Sequence, residues 1–104
     1  MTVALSKVVG QINRRNLSTN IQKVAYRLLS AASNGTGWVK NTQLSHIPSV
    51  GSRIRDLRTE EFGSWKVQCA TASELNKDGD QYTFFYRVVP SSVNQTQLRS
   101  VFGT

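Results

Sequence analysis

The 104-residue chain contains one cysteine, one histidine, one methionine and only two prolines. A lone Cys69 cannot close an intramolecular disulfide, and secreted domains of this size usually depend on several, so an intracellular setting is expected. One cysteine and one histidine, with no CxxC or HxxxH spacing, cannot supply the three or four ligands of a zinc site, so neither a metal nor another cofactor is expected. No apolar run approaches the ~20 residues of a spanning helix, and Met1 to Gly10 is neither basic nor apolar enough for a signal peptide. A membrane partner is therefore not expected. Acidic residues are also scarce: six Asp and Glu stand against thirteen Lys and Arg, a formal charge of +7. Such a chain attracts polyanions, which fits nucleic acid better than a small acidic substrate.

Groups spaced for catalysis are missing as well. Gly35-Thr36-Gly37 has neither the lysine nor the length of a phosphate-binding loop, and no nucleophile, base and acid stand at triad spacing. Asp78 and Asp80 begin a calcium-loop pattern that no glutamate closes. His46, next but one to Pro48, reads as a surface or interface histidine, and Cys69, alternating with Trp65 and Val67, as a small buried hydrophobe. No enzyme is expected.

One small domain fits this length, with no internal repeat, low-complexity run or interdomain linker. Leu5 to Arg15 places Leu5, Val8, Val9 and Ile12 on one side, an amphipathic helix weakened by Gly10, whose apolar face would cover either the domain's own core or a second copy. Thr19 and Gln22 have capping-box spacing, and Ile21, Val24, Ala25, Leu28, Leu29 and Ala32 form a helical stripe that Asn34-Gly35 and Thr36-Gly37 would stop. After an extended Trp38-Val39, Asn41 or Thr42 can cap a two-turn helix, Thr42 to Ile47, ended by Pro48. Ser49 can cap the next helix, which runs to Phe62 and stops at Gly63.

In that helix Val50, Ile54, Leu57 and Glu61 share one side, Ser52, Arg55, Asp56 and Thr59 lie opposite, and Arg53 and Arg58 flank. A solvated amphipathic helix whose arginines pair with Asp56, Glu60 and Glu61 has the same pattern. From Trp65 the period becomes two, giving a strand through Val67 and Cys69, a polar turn from about Thr71 to Gln81, and a second strand, Tyr82 to Val89. Phe85 and Val89 leave that strand on the face opposite Tyr86 and Val88, so terminal segments or a partner chain are expected to shelter them. Ser92 with Gln95 has capping-box spacing before a short last helix.

The order helix, short strand, helix, turn, helix, hairpin is that of an α+β winged helix-turn-helix: a three-helix core plus a two-stranded hairpin wing, here at 19–89, with extensions at 1–18 and 90–104. Gly37-Trp38-Val39, Leu44, Arg53-Ile54-Arg55-Asp56-Leu57-Arg58, Phe62-Gly63-Ser64-Trp65-Lys66-Val67 and Phe85-Tyr86-Arg87-Val88 together resemble the small winged-helix proteins of phages and prophages. The resemblance implies a sequence-reading regulator of double-stranded DNA in the cytoplasm, that of the host cell if the chain is viral. Ser49, Ser52, Arg53, Arg55 and Asp56 would occupy the early exposed face of the recognition helix, with Arg53 and Arg55 on bases and Asp56 orienting one of them. Lys40, Asn41, Thr42 and Gln43 would hold a phosphate or simply cap their helix. Lys66, Gln68 and Lys77, the last at the hairpin tip, would form wing contacts. Arg58 is divided between covering the core and touching DNA. Glu60 and Glu61 depart from the pattern, because acids at that helix end oppose the dipole and repel phosphate. A homodimer through the terminal segments would suit a twofold site. The alternative is the same fold as an interaction module docked on a host polymerase, nuclease or replication factor through Phe85, Val89 and the terminal apolar faces.

Overall fold

A computed structural model describes residues 5–12, 17–33 and 37–103. Within them lie four α-helices and one antiparallel sheet: α1 (Leu5–Gln11), α2 (Asn20–Ser33), β1 (Val39–Lys40), α3 (Val50–Leu57), β2 (Val67–Thr71), β3 (Phe84–Val88) and α4 (Gln95–Phe102). The architecture is α+β, and no helix among the described residues is long and apolar enough to cross a membrane.

The centre is α2. Val24, Ala25, Leu28 and Leu29 have no solvent exposure and Ala32 little, so the expected stripe is the buried face. The start of α2 is closed as the Thr19/Gln22 spacing requires: Gln22 N donates to Thr19 Oγ1 at 3.2 Å, while Gln22 Oε1 accepts from Thr19 N at 3.3 Å. The same side chain donates through Nε2 to the Val101 carbonyl at 3.1 Å, joining the start of α2 to the end of α4. Against the stripe pack Ile54 and Leu57 of α3, Val39, Val67 and Val88 of the sheet, and Leu98 and Val101 of α4. Val8, Val9 and Ile12 of the α1 segment also lie on this core, so its apolar face is spent on its own chain. Asn13 to Arg15, the end of the expected first helix, and all of the expected stop but Gly37 fall outside the described residues.

Several boundaries differ from the sequence expectation. The helix expected over Thr42 to Ile47 is a single 3-10 turn, Asn41–Leu44, followed by turns. Ser49 does not cap α3 with its hydroxyl: its backbone is left-handed (φ 55°), and only its carbonyl takes part, accepting from Arg53 N at 3.0 Å. That helix ends at Leu57 rather than Phe62, because Thr59 is extended (ψ 157°) and Glu60–Phe62 form a separate 3-10 turn. Ser92 lies in a 3-10 turn, and the reciprocal box at α4 belongs to Asn94 and Gln97, two residues later.

The sheet has three strands, not two. Its order is β1-β3-β2, with Val39 opposite Tyr86 and Val67 opposite Val88. Trp65 precedes β2 and is buried in the core, its Nε1 donating to the Phe62 carbonyl at 2.6 Å. Cys69 is exposed, contrary to expectation. By alternation it shares the face of buried Val67, and its cross-strand neighbour Tyr86 is half-buried. Phe85 is 8% exposed and has the Lys77 ammonium 5.6 Å from its ring centre, so the hairpin's own connection shelters it.

Gly63 allows a close approach between the turn after α3 and α4. Its φ of +102° is left-handed, and a Cβ there would stand 2.7 Å from Gln97 Cα. Gly51, on the outward side of α3, has nothing within 4 Å of the same imagined atom. Gly63→Ala should therefore cost at least about 1–2 kcal/mol in urea unfolding. Gly51→Ala should be neutral or stabilise by up to about 1 kcal/mol.

Candidate functional site

The outward face of α3 follows from its inward one. Val50, Ile54 and Leu57 recur at i, i+4 and i+7, and burial of the last two fixes the helix rotation. Gly51, Arg55 and Arg58 are then exposed, and Ser52, Arg53 and Asp56 are half-buried on the flanks.

The three arginines have different surroundings. Arg53 Nε lies 3.2 Å from Asp56 Oδ2, so of the two arginines considered for it, Asp56 is engaged with Arg53. That nitrogen is out of solvent and has no aligned hydrogen bond, so the attraction is essentially ionic. A half-exposed pair of this kind contributes about 0.2–1 kcal/mol, enough to bias a rotamer and too little to anchor the fold. Arg55, two residues and about half a turn further on, is exposed. Arg58 is committed to structure: Nη2 donates to the Val67 carbonyl at 2.7 Å, joining the end of α3 to β2. Glu60 and Glu61 do not continue α3, because the extended Thr59 moves them into the following turn.

The group Lys40, Asn41, Thr42 and Gln43 divides. Gln43 Oε1 accepts from Lys40 N at 3.0 Å, which is the capping use of that side chain. Asn41 Nδ2 donates to the Tyr82 carbonyl at 2.9 Å and so ties this turn to the approach to β3. Lys40 is half-buried and Thr42 exposed. The hairpin residues also separate. Lys66 is exposed before β2, whereas Gln68 Oε1 accepts from Arg87 Nε at 2.6 Å. Lys77 is not at a projecting tip: Ala72–Asn76 wind into turns, Asn76 is left-handed, and Lys77 N donates to the Ala72 carbonyl at 2.8 Å. Its ammonium is thereby returned over Phe85.

Trp38 and Arg87 meet on the sheet beside Gln68 and were not among the candidate site residues named from the sequence. The guanidinium carbon of Arg87 stands 4.9 Å from the Trp38 ring centre. Only the pairing of β1 with β3 brings them together, and a two-residue strand gives almost no periodic signal. The burial of Phe85 removes one of the exposed aromatic groups on which a protein-docking reading would depend. Among the described residues no three His, Cys, Asp or Glu side chains converge as a metal site would require.

Two groups in this region have displaced pKa values. Hydrogen bonds from the Thr71 amide and hydroxyl hold the exposed Glu74 carboxyl below its ordinary value. Burial pushes the Tyr86 hydroxyl up, Cys69 adds to the rise, and Arg58 partly opposes it. The folded state thus favours neutral Tyr86, a contribution fully present below the ordinary tyrosine pKa of about 10 and lost as pH rises through the raised value. Tyr86→Phe should unfold with a shallower loss of stability above about pH 10 than the native chain, measured by urea midpoint against pH. Identical alkaline slopes would remove Tyr86 from that role.

In comparisons with known proteins, no family model, no curated protein and no solved structure matched this chain.

Proposed function

We propose that the chain is a winged helix-turn-helix protein that reads double-stranded DNA with α3 in the major groove, as a regulator of phage or mobile-element type. The observation that carries the reading is α3 itself, an eight-residue helix anchored by Ile54 and Leu57 that exposes Arg55, with Ser52 and Arg53 half-buried beside it, on a chain of charge +7. Element order supports it: α2, β1, a one-turn helix, α3 and the β2–β3 hairpin follow the winged-helix succession, with β1 closing the sheet beside β3. Placing the one-turn helix, Asn41–Leu44, immediately before α3 sets two short helices across a tight connection.

In this reading Arg55 is the principal base reader, because its guanidinium is exposed and can span O6 and N7 of guanine. Arg53 is the second, its rotamer biased by the ionic contact with Asp56. Thr42 and Lys40 contribute to phosphate, and Lys66 to the flank beside the hairpin. Arg58 has no recognition role, since it serves the contact with Val67.

Arg55→Ala should weaken binding to a selected duplex by about 1–3 kcal/mol, roughly five- to 150-fold in Kd, and relax preference at one base pair. Lys40→Ala should weaken all duplexes alike and reduce the slope of log K against log salt by about one. If Arg53→Ala and Arg55→Ala left affinity for every duplex unchanged across a salt series, the assignment of α3 would be wrong.

A further inference from the structure

A second surface lies on the other side of the sheet. Val39, Val67 and Val88 turn inward to the core, so strand alternation sends Lys40, Gln68 and Arg87 to the opposite face. The bond from Val89 N to the Lys66 carbonyl, at 3.0 Å, extends the β2–β3 ladder by one pair, which adds exposed Lys66 to that face. Lys40 sits opposite Phe85, Arg87 is two residues further along β3, and Lys66 lies opposite Val89 two residues further again. The cations therefore step diagonally across all three strands, at the spacing of about 7–8 Å typical of diagonal sheet neighbours. None of the three strands contains an acidic residue. In the β2–β3 connection, Glu74 accepts from Thr71 and Asp80 from Tyr82 and Thr83, which leaves Asp78 as the one exposed acid there without such a contact.

Arg87, the middle cation, is held in place before any ligand arrives. Trp38 supports the guanidinium plane at 4.9 Å, and Gln68 Oε1 holds Nε at 2.6 Å. The remaining N–H donors, those of Nη1 and Nη2, make the planar fork that matches a phosphate or carboxylate. The one ion pair among the described residues is that of Arg53 with Asp56, on α3. At the Lys40 end, the bond from Asn41 Nδ2 holds the Tyr82 carbonyl, and the Tyr82 side chain is the one large apolar group exposed among the described residues, at 69%.

We infer that this outer sheet face binds a single strand of nucleic acid, with a phosphate on the Arg87 fork, its neighbours beside Lys40 and Lys66, and a base stacked on Tyr82. Charge complementarity favours a polyanion, and an exposed aromatic residue tied at its backbone to Asn41, next to Lys40, favours a nucleic-acid strand over an acidic peptide. The centre of the site, Arg87 with Trp38 and Gln68, is separate from α3, while Lys40 and Lys66 are shared with the proposed duplex contact.

The test is fluorescence anisotropy of the full chain with a labelled oligothymidylate of about 15 nucleotides, with polyglutamate as competitor and urea midpoints as a check on folding. Arg87→Gln should weaken binding about tenfold, Arg87→Lys should fail to restore it, and Tyr82→Ala, at an exposed position, should weaken it at least about fivefold. Arg55→Ala should leave it within about twofold. The inference is overturned if Tyr82→Ala and folded Arg87→Gln bind within about twofold of the native chain. It is also overturned if Arg55→Ala is as damaging as Arg87→Gln, which would put the strand on α3. Displacement of the oligonucleotide by equal charge of polyglutamate, with Tyr82→Ala silent, would assign the face to acidic peptides instead.

Discussion

The apolar stripe of α2 is the constraint on which the rest of the molecule depends. That helix contacts α1, α3, α4, β1 and β3, and its Leu28 and Leu29 are closed to solvent. Each such side chain contributes about 1.5–3 kcal/mol by leaving water, so the stripe decides which face every neighbouring element turns inward. Ile54 and Leu57 meet it from α3, and the rotation that buries them exposes Arg55. Gly37 keeps the chain close as it leaves α2: its φ is +85°, and a Cβ there would stand 3.3 Å from Ala32 Cα. The surface chemistry is thus a consequence of core packing, and the basic face of α3 is outward because its other face has a partner.

Charge is sorted by the backbone as much as by composition. Arg53, Arg55 and Arg58 stand within six residues of sequence, yet one is paired with Asp56, one is exposed, and one is joined to the Val67 carbonyl. Thr59 removes Glu60 and Glu61 from the helix that carries the arginines, so those acids do not extend its outward face. Beyond α3, the sheet collects Lys40, Arg87 and Lys66 on its outer side although they are far apart in the chain. Arg53 and Arg55 therefore stand on one surface and Lys40, Arg87 and Lys66 on another, built differently.

Much of this was legible in the sequence wherever a long periodic signal existed. The α2 stripe, the Thr19/Gln22 box and the anchors Ile54 and Leu57 follow from residue spacing, because burial in a helix repeats every 3–4 residues. The departures have local causes. Ser49 and Thr59 take backbone conformations that a residue tolerant of several gives no sign of beforehand. Cys69 has the parity of an inward residue, but alternation reports the face and not the degree of burial. The Asn94/Gln97 box competes with the equally spaced Ser92/Gln95, and the 3-10 turn at Pro90–Ser92 occupies the earlier position. Lys77 returns over Phe85 through a left-handed Asn76, and Trp38 meets Arg87 through a strand of two residues. Pairings of that kind depend on register, which residue spacing within one segment does not contain.

The central claim is that α3 is the surface that meets DNA. Amide chemical-shift mapping of the isotope-labelled full chain, titrated with duplex DNA at moderate salt, tests it residue by residue. The account predicts that the largest shifts fall on Gly51 to Asp56, with smaller ones at Lys40 to Thr42 and Lys66. Shifts confined to other surfaces, or none while the duplex is in excess, would contradict it.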